Sequence, residues 1–217
     1  ASALVVFKDP ATGAPRLVTD SGKVFDPVAG GEALLVINVK ASALAVFTDP
    51  ATGAPRLACG RENGKVHVFD PVAGGEALVV IDVDARALAV FVDPATGAPR
   101  LACGCFKKVR IVDPAAGGAA LVVLEGHTEE VRALTVFEDP ATGTLRLASV
   151  SGSYSDRSVH VWDLITGGTA LFVLEGHTDE VRALTSFADP ATGEPRLASG
   201  SGKTLRVWDL SKGGAAL

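Results

Sequence analysis

The apolar residues of this chain fall in short runs, each closed by Asp, Gly, Pro or Ser, and the same order of runs returns along its whole length. In the clearest copy, 131–137 (V-R-A-L-T-V-F) is apolar-rich and stops at Asp139-Pro140. Residues 146–150 and 158–163 are brief β-prone segments with a polar turn between them. Residues 170–174 form an aliphatic and aromatic run that follows Gly167-Gly168. Short runs bounded by turn formers are strand signals, and no window keeps a helical period long enough to compete. The pattern predicts an all-β chain built from units of four short strands.

The pentapeptide D-P-A-T-G measures the unit. It recurs at Asp9–Gly13, Asp49–Gly53, Asp93–Gly97, Asp139–Gly143 and Asp189–Gly193, always two residues after a phenylalanine. Five of the nine phenylalanines hold that position, at spacings of 40, 44, 46 and 50 residues. A tandem repeat at this period decides the architecture before any single motif does. Within the pentapeptide, Asp suits the first position of a type I turn, Pro pre-sets the φ of the second, and Gly supplies the positive φ that returns the chain. A second turn follows each third strand, at Asp26–Gly30, Asp70–Gly74, Asp113–Gly117, Asp163–Gly167 and Asp209–Gly213. Both families make antiparallel hairpins, so each unit is a four-stranded meander. Five units fill the chain as one domain over residues 1–217, approximately at 1–40, 41–84, 85–125, 126–175 and 176–217.

Two units carry more. Gly126-His127-Thr128 opens the fourth and Trp162-Asp163 closes its third strand; Gly176-His177-Thr178 and Trp208-Asp209 repeat this in the fifth. Four-stranded units with a period in the forties and these two signatures resemble the WD-repeat β-propeller family. The resemblance implies an all-β fold, a β-propeller of five four-stranded antiparallel blades around a central channel. It also implies a hydrogen-bonded structural tetrad within a blade: a His, a Ser or Thr, an Asp and the Trp. Carried over, the fourth unit supplies His127, Ser149, Asp156 and Trp162, and the fifth supplies His177, Ser199 and Trp208, with Gly202 where the Asp would stand. Phe25, Phe69 and Val112 take the tryptophan position in the first three units, Cys59 and Cys103 take the serine position in the second and third, and G-H-T is absent from 36–44 and 80–88. A closed ring and an open arc both fit. The chain starts at Ala1 and its last strand stops early at Leu217, as in a fragment of a longer repeat protein. A clipped outer strand there would bare backbone N–H and C=O groups and invite self-association.

Composition narrows the partners. Hydrophobic residues make up 47%, without heptads, which fits sheets buried on both faces. The net charge is −5 with Lys and Arg dispersed, and the one basic cluster, Lys107, Lys108 and Arg110, reads as a solvated hairpin turn rather than a nucleic-acid footprint. No apolar run approaches the length of a membrane span. Three cysteines, an odd number, make no disulfide framework and favour a reducing compartment, cytoplasm or nucleus. The expected partners are proteins or peptides, with neither nucleic acid nor membrane among them.

Candidate chemistry is sparse. H-T-E-E at 127–130 and H-T-D-E at 177–180 set carboxylates beside a histidine, but the spacing is not that of HExxH zinc enzymes. Both copies sit at the fold-histidine position of the resembled family and are assigned to structure. His67 and His160 match each other in strand three and are read as alternate-face strand residues. Cys59 and Cys103 are read as packing, and Cys105, without a counterpart, as a candidate reactive thiol. No phosphate loop or nucleophile elbow is present, so no catalytic residue, cofactor or metal is expected. Arg16, Arg56, Arg100, Arg146 and Arg196 each precede the leucine of strand two; five copies argue for a fold role, pairing with a nearby turn Asp.

What varies is the loops. In the resembled family, the loops between strand four and the next strand one, and between strands two and three, form the face that binds partners. Here they would contribute Arg86, Glu129, Glu130, Arg132, Tyr154, Asp179, Glu180 and Arg182, mixed charge with an aromatic, which suits a protein interface. The expected function is a non-catalytic scaffold. One alternative is a propeller enzyme or small-ligand binder using the channel, although the strand-one runs A-L-V-V-F, A-L-A-V-F and A-L-T-V-F lack the distinctive polar residues this needs. Another is an engineered or recently duplicated repeat without an evolved partner, which near-identical D-P-A-T-G copies also fit.

Overall fold

The computed structural model describes residues 3–61, 64–139, 142–153, 155–202, 204–210 and 214–217. Among these every extended regular element is a β-strand. The chain divides into two compact units, residues 1–103 with 111–121, and residues 104–110 with 122–217.

In the first unit, β1 (Leu4–Lys8), β2 (Pro15–Thr19), β3 (Lys23–Phe25) and β4 (Leu35–Val36) form an antiparallel sheet in chain order. A second sheet repeats this with β5 (Ala43–Thr48), β6 (Pro55–Gly60), β7 (Val66–Phe69) and β8 (Val79–Ile81). β9 (Ala87–Val92), β10 (Pro99–Gly104) and the end of β11 (Phe106–Val112) start the next copy. Phe7, Val18, Val24 and Ile37 pack with Leu57, Cys59 and Phe69 in one core, and full burial of such side chains contributes about 1.5–3 kcal/mol each.

In the second unit, β12 (Val122–Asp139), β13 (Thr144–Ser151), β14 (Val159–Asp163) and β15 (Phe172–Leu174) follow one another, and β16 (Val181–Ala188), β17 (Pro195–Ser201), β18 (Leu205–Asp209) and β19 (Ala215–Ala216) form the last sheet. Val150, Val159, Val161 and Leu174 of the former pack against Val181, Leu197 and Trp208 of the latter.

Turn chemistry sets the hairpins as the residues predict. Gly13 N–H donates to the Asp9 carbonyl at 2.8 Å and Asp9 N–H to the Ala14 carbonyl at 2.9 Å, while Asp9 Oδ1 accepts the Ala11 N–H at 2.9 Å. Gly13 sits at φ 71° and Gly143 at φ 67°, a region that costs any residue with a Cβ. The register is equally regular: Leu17 faces Phe25, Leu57 faces Phe69, Leu147 faces Trp162 and Leu197 faces Trp208.

Each repeated arginine ties both turns of its own unit together. Arg16 reaches Asp9 (3.2 Å) and Asp26 (3.0 Å), Arg56 reaches Asp49 and Asp70 (both 3.1 Å), and Arg100 reaches Asp93 (3.3 Å) and Asp113 (3.2 Å). Arg146 pairs with Asp163 and, at 3.9 Å, with Asp139; Arg196 pairs with Asp189 (3.2 Å) and Asp209 (2.5 Å). A guanidinium fork can hold two carboxylates at once, so the two-turn tie is a fold device present five times.

One element departs from the expected meander. β12 runs unbroken through residues 126–130, where the sequence predicts the connection from a fourth strand to the next first strand. The equivalent stretch of the last repeat, 175–180, is irregular. The sequences differ only by Glu129 against Asp179 in G-H-T-E/D-E-V, so neighbours decide the outcome. β12 lies beside β11 in its sheet, and just past this stretch Val131 N–H donates to the Cys105 carbonyl at 3.2 Å.

Candidate functional site

The polar centre of the second unit is assembled by register. Cross-strand pairing sets Ser149 of β13 opposite His160 of β14, two residues along from the Leu147–Trp162 pair. β12 brings His127 over them. Trp162 Nε1–H donates to Ser149 Oγ at 2.7 Å. Ser149 Oγ lies 2.8 Å from His127 Nε2, and His127 Nδ1 lies 2.9 Å from Asp156 Oδ2. A carboxylate only accepts, so the imidazole proton sits on Nδ1, and the Ser149 hydroxyl donates to Nε2. Asp156 also accepts Thr128 N–H at 2.9 Å, and the Ser158 hydroxyl at 2.6 Å. The four residues sequence analysis groups in this repeat are thus brought into one buried chain of hydrogen bonds.

The last repeat builds the same chain with a substitute. Trp208 Nε1–H donates to Ser199 Oγ at 2.7 Å, and His177 Nε2 lies 2.6 Å from that oxygen. Gly202 offers no carboxylate; instead Thr204 Oγ1 stands 3.2 Å from His177 Nδ1. Sequence reasoning missed Thr204 because it looked six residues before the tryptophan, where the shorter hairpin has no side chain to give.

His160 is a correction. It shares the face of Trp162, two residues on, as strand alternation requires. Its ring stacks on His127, with centroids 4.0 Å apart and 24° between planes, and meets Trp162 at 5.2 Å. Gly126 makes the room: a Cβ there would lie 3.0 Å from Trp162 and 3.2 Å from His160 Nδ1.

The electrostatics follow from burial. Burial works to raise the Asp156 carboxyl, but hydrogen bonds from His127, Ser158 and Thr128 outweigh it and hold the group well below the ordinary carboxylate range. Burial and the adjacent His127 push His160 down to about 4, against the pull of Asp156. His177 is also lowered, by burial and then by the Arg206 charge. The sign follows: between pH 6.5 and 4 the unfolded histidine takes a proton that the folded one refuses, so stability falls as pH drops through that window. The melting temperature is expected to decline from pH 6.5 to 4, with a shallower decline in His160→Gln. A variant profile as steep as that of the parent would contradict this assignment.

The predicted partner-binding residues separate into two sets. In the first unit, Arg86 lies half-buried just before β9. In the second, Glu129, Glu130 and Arg132 belong to β12 rather than to a loop, Asp179 and Glu180 lie in the connection 175–180, and Arg182 is in β16. Tyr154 lies outside the described residues. Arg132 and Arg182 occupy the same special place: the pairing register shifts between Val131 and Ala133, and between Val181 and Ala183, so each arginine is the extra residue of a β-bulge. A bulge re-aims one side chain out of the pleat. Arg132 Nη2 meets Glu130 at 3.2 Å, and Arg182 Nη2 meets Glu180 at 2.5 Å. The Arg132 stem lies across Gly152, where a Cβ would come within 2.2 Å of it.

The thiols have little to offer chemically. Cys59, Cys103 and Cys105 are all buried, and burial pushes the Cys59 thiol up to about 12. The site expected of Cys105, a reactive thiol, needs exposure that it lacks.

Comparison with known families matches two stretches of the chain, residues 118–163 and 168–209, to the family described as WD domain, G-beta repeat. No curated protein sequence matches the chain.

Proposed function

The chain is a WD-repeat protein over residues 118–163 and 168–209, and from that premise we propose that it is a non-catalytic scaffold which holds protein or peptide partners. In this reading the five repeats, about 1–40, 41–84, 85–125, 126–175 and 176–217, are blades of a β-propeller. Repeats of this family generally serve protein interaction. His127, Ser149 and Asp156, and His177 with Ser199, are engaged with one another inside the sheets, which supports a structural use for them. A cytoplasmic or nuclear setting suits three buried thiols.

The observation that carries the proposal is the pair of bulges. Consecutive repeats present an outward arginine held by the glutamate two residues before it, Glu130-Val131-Arg132 and Glu180-Val181-Arg182. A repeated, pre-organised charge pair loses less side-chain freedom on binding than a free one, and arginine is enriched among residues that dominate interfaces. The partner that fits carries alternating acidic and basic side chains.

Peptides selected from a displayed random library against the parent chain are expected to lose affinity about 10-fold or more for the variant Arg132→Glu/Arg182→Glu. Its melting temperature should stay near that of the parent, since exposed substitutions usually stay within about 0.5 kcal/mol. Equal binding to parent and variant, or failure to select any peptide, would overturn the reading.

A further inference from the structure

We propose that His127, Asp156 and His160 form a three-ligand site for a divalent first-row transition ion, zinc above all. One nitrogen or oxygen from each lies within 4.8 Å of the other two, and all three residues are at least nine-tenths buried. Two imidazoles and a carboxylate are a donor set for zinc, cobalt, nickel or copper. Calcium and magnesium prefer oxygen-only cages, so they are the wrong chemistry here.

A second observation, independent of the clustering, points to a ligand. His160 Nδ1 is buried and has no hydrogen-bond partner among the described residues. A buried polar atom left without a partner is uncommon and costly. The donor atoms of the other two residues have uses: His127 Nδ1 on Asp156, and Asp156 with Thr128 and Ser158 besides. His160 therefore brings a buried ring nitrogen that no described residue engages.

Access and support are both built in. A cavity of about 540 Å³ is lined by Asp156 and His160, with Thr128, Arg157, Ser158 and Glu175 around them, so two of the three ligands face a space that holds water. Ser149 Oγ holds His127 from its Nε2 side, and is itself fixed by Trp162 Nε1–H. Thr128 N–H and the Ser158 hydroxyl orient the carboxylate. Such outer partners set the aim of metal ligands.

The protons balance without a redox step. The ion takes the His127 Nδ1 lone pair, the imidazole proton moves to Nε2, and the His127–Ser149 hydrogen bond reverses. Metal–ligand bonds to His127 and Asp156 replace the hydrogen bond between them, and His160 supplies the third bond. Bonds of about 2.0–2.1 Å require the three donors to close in from their present spacing, and the His160 ring to turn out of its stack on His127, because an imidazole lone pair lies in the plane of its ring.

Among the described residues the cluster occurs in the fourth repeat alone. In the fifth, Arg206 stands at the position of His160, and Thr204 partners His177 in place of a carboxylate. The second repeat has His67 at that position but no histidine to match His127. This is the one place where the repeats differ by gaining a constellation rather than by losing one.

The test uses the whole chain and the metal alone. Added Co²⁺ is expected to give the visible bands of a four-coordinate nitrogen–oxygen site at one ion per chain, Zn²⁺ to displace it, and Zn²⁺ to raise the melting temperature. His160→Gln should weaken Zn²⁺ binding by about 100-fold or more, beyond the 10–100-fold typical of outer-shell losses; His67→Gln should bind as the parent does. If His160→Gln fails to fold, ¹⁵N-histidine spectra of the parent decide the matter: Zn²⁺ should shift the ring nitrogens of His127 and His160 and leave His67 unmoved. No cobalt bands with no thermal shift, binding retained in His160→Gln, or a zinc response at His67 instead would each overturn the proposal.

Discussion

Trp162→Ala is expected to cost about 3–5 kcal/mol of folding stability, the range for removing a large aromatic side chain from a core. Trp162 is 1% exposed, and two kinds of interaction go with it. The indole faces the rings of His127 and His160 at 6.2 Å and 5.2 Å, so a cavity opens beneath both. Its Nε1–H also anchors Ser149 Oγ at 2.7 Å, and without it that hydroxyl answers to His127 alone. Val112, equally buried in β11, holds the corresponding position of the third repeat, but its aliphatic side chain has no hydrogen bond to lose. Val112→Ala should cost clearly less. Trp162→Phe should fall between the two, because it keeps most of the packing and drops only the donor. Denaturant midpoints for the three variants check the order, and equal losses for Trp162→Ala and Val112→Ala would show that this register of the repeats is wrong.

Much of this fold was legible because its repeats are written in turn chemistry. Asp, Pro and Gly at fixed places dictate two hairpins per unit, and once the hairpins are set, the Leu–aromatic register follows without further information. The arginine ties were legible for the same reason: a charge that recurs with the turns has the turn carboxylates within reach. What the sequence hid depends on neighbours. Near-identical stretches around His127 and His177 become a strand in one repeat and an irregular connection in the other, since an extended segment persists only where another strand meets its backbone groups. The bulges at Arg132 and Arg182 arise from a register mismatch that no single strand records. His160 was misread for a related reason. Alternation places it beside Trp162, yet its stacking on His127 needs the bare Cα of Gly126, thirty-four positions earlier in the chain.

Arg196→Ala is expected to produce the second large loss, and the comparison with Arg16→Ala says why. Both arginines bridge the two turns of their repeat, so a count of ion pairs would rate them alike. Burial separates them. Asp209 is 0% exposed and Arg196 only 8%, whereas Asp9 and Asp26 keep part of their surface in water. Solvent screens the first repeat's pairs, and exposed pairs contribute little. In the last repeat, removing the guanidinium takes the opposite charge away from a buried carboxylate, and breaking a buried pair in this way costs about 3–5 kcal/mol. Arg196→Lys should recover only part of the loss, because one ammonium cannot fork to Asp189 and Asp209 together. The double variant Arg196→Ala/Asp209→Asn should be more stable than Arg196→Ala alone: it removes the buried negative charge as well as its partner. Thermal and denaturant melts of the four variants test this. If Arg16→Ala and Arg196→Ala shift stability equally, or Asp209→Asn gives no rescue, the tie acts through turn geometry alone and the buried charge is not what makes it matter.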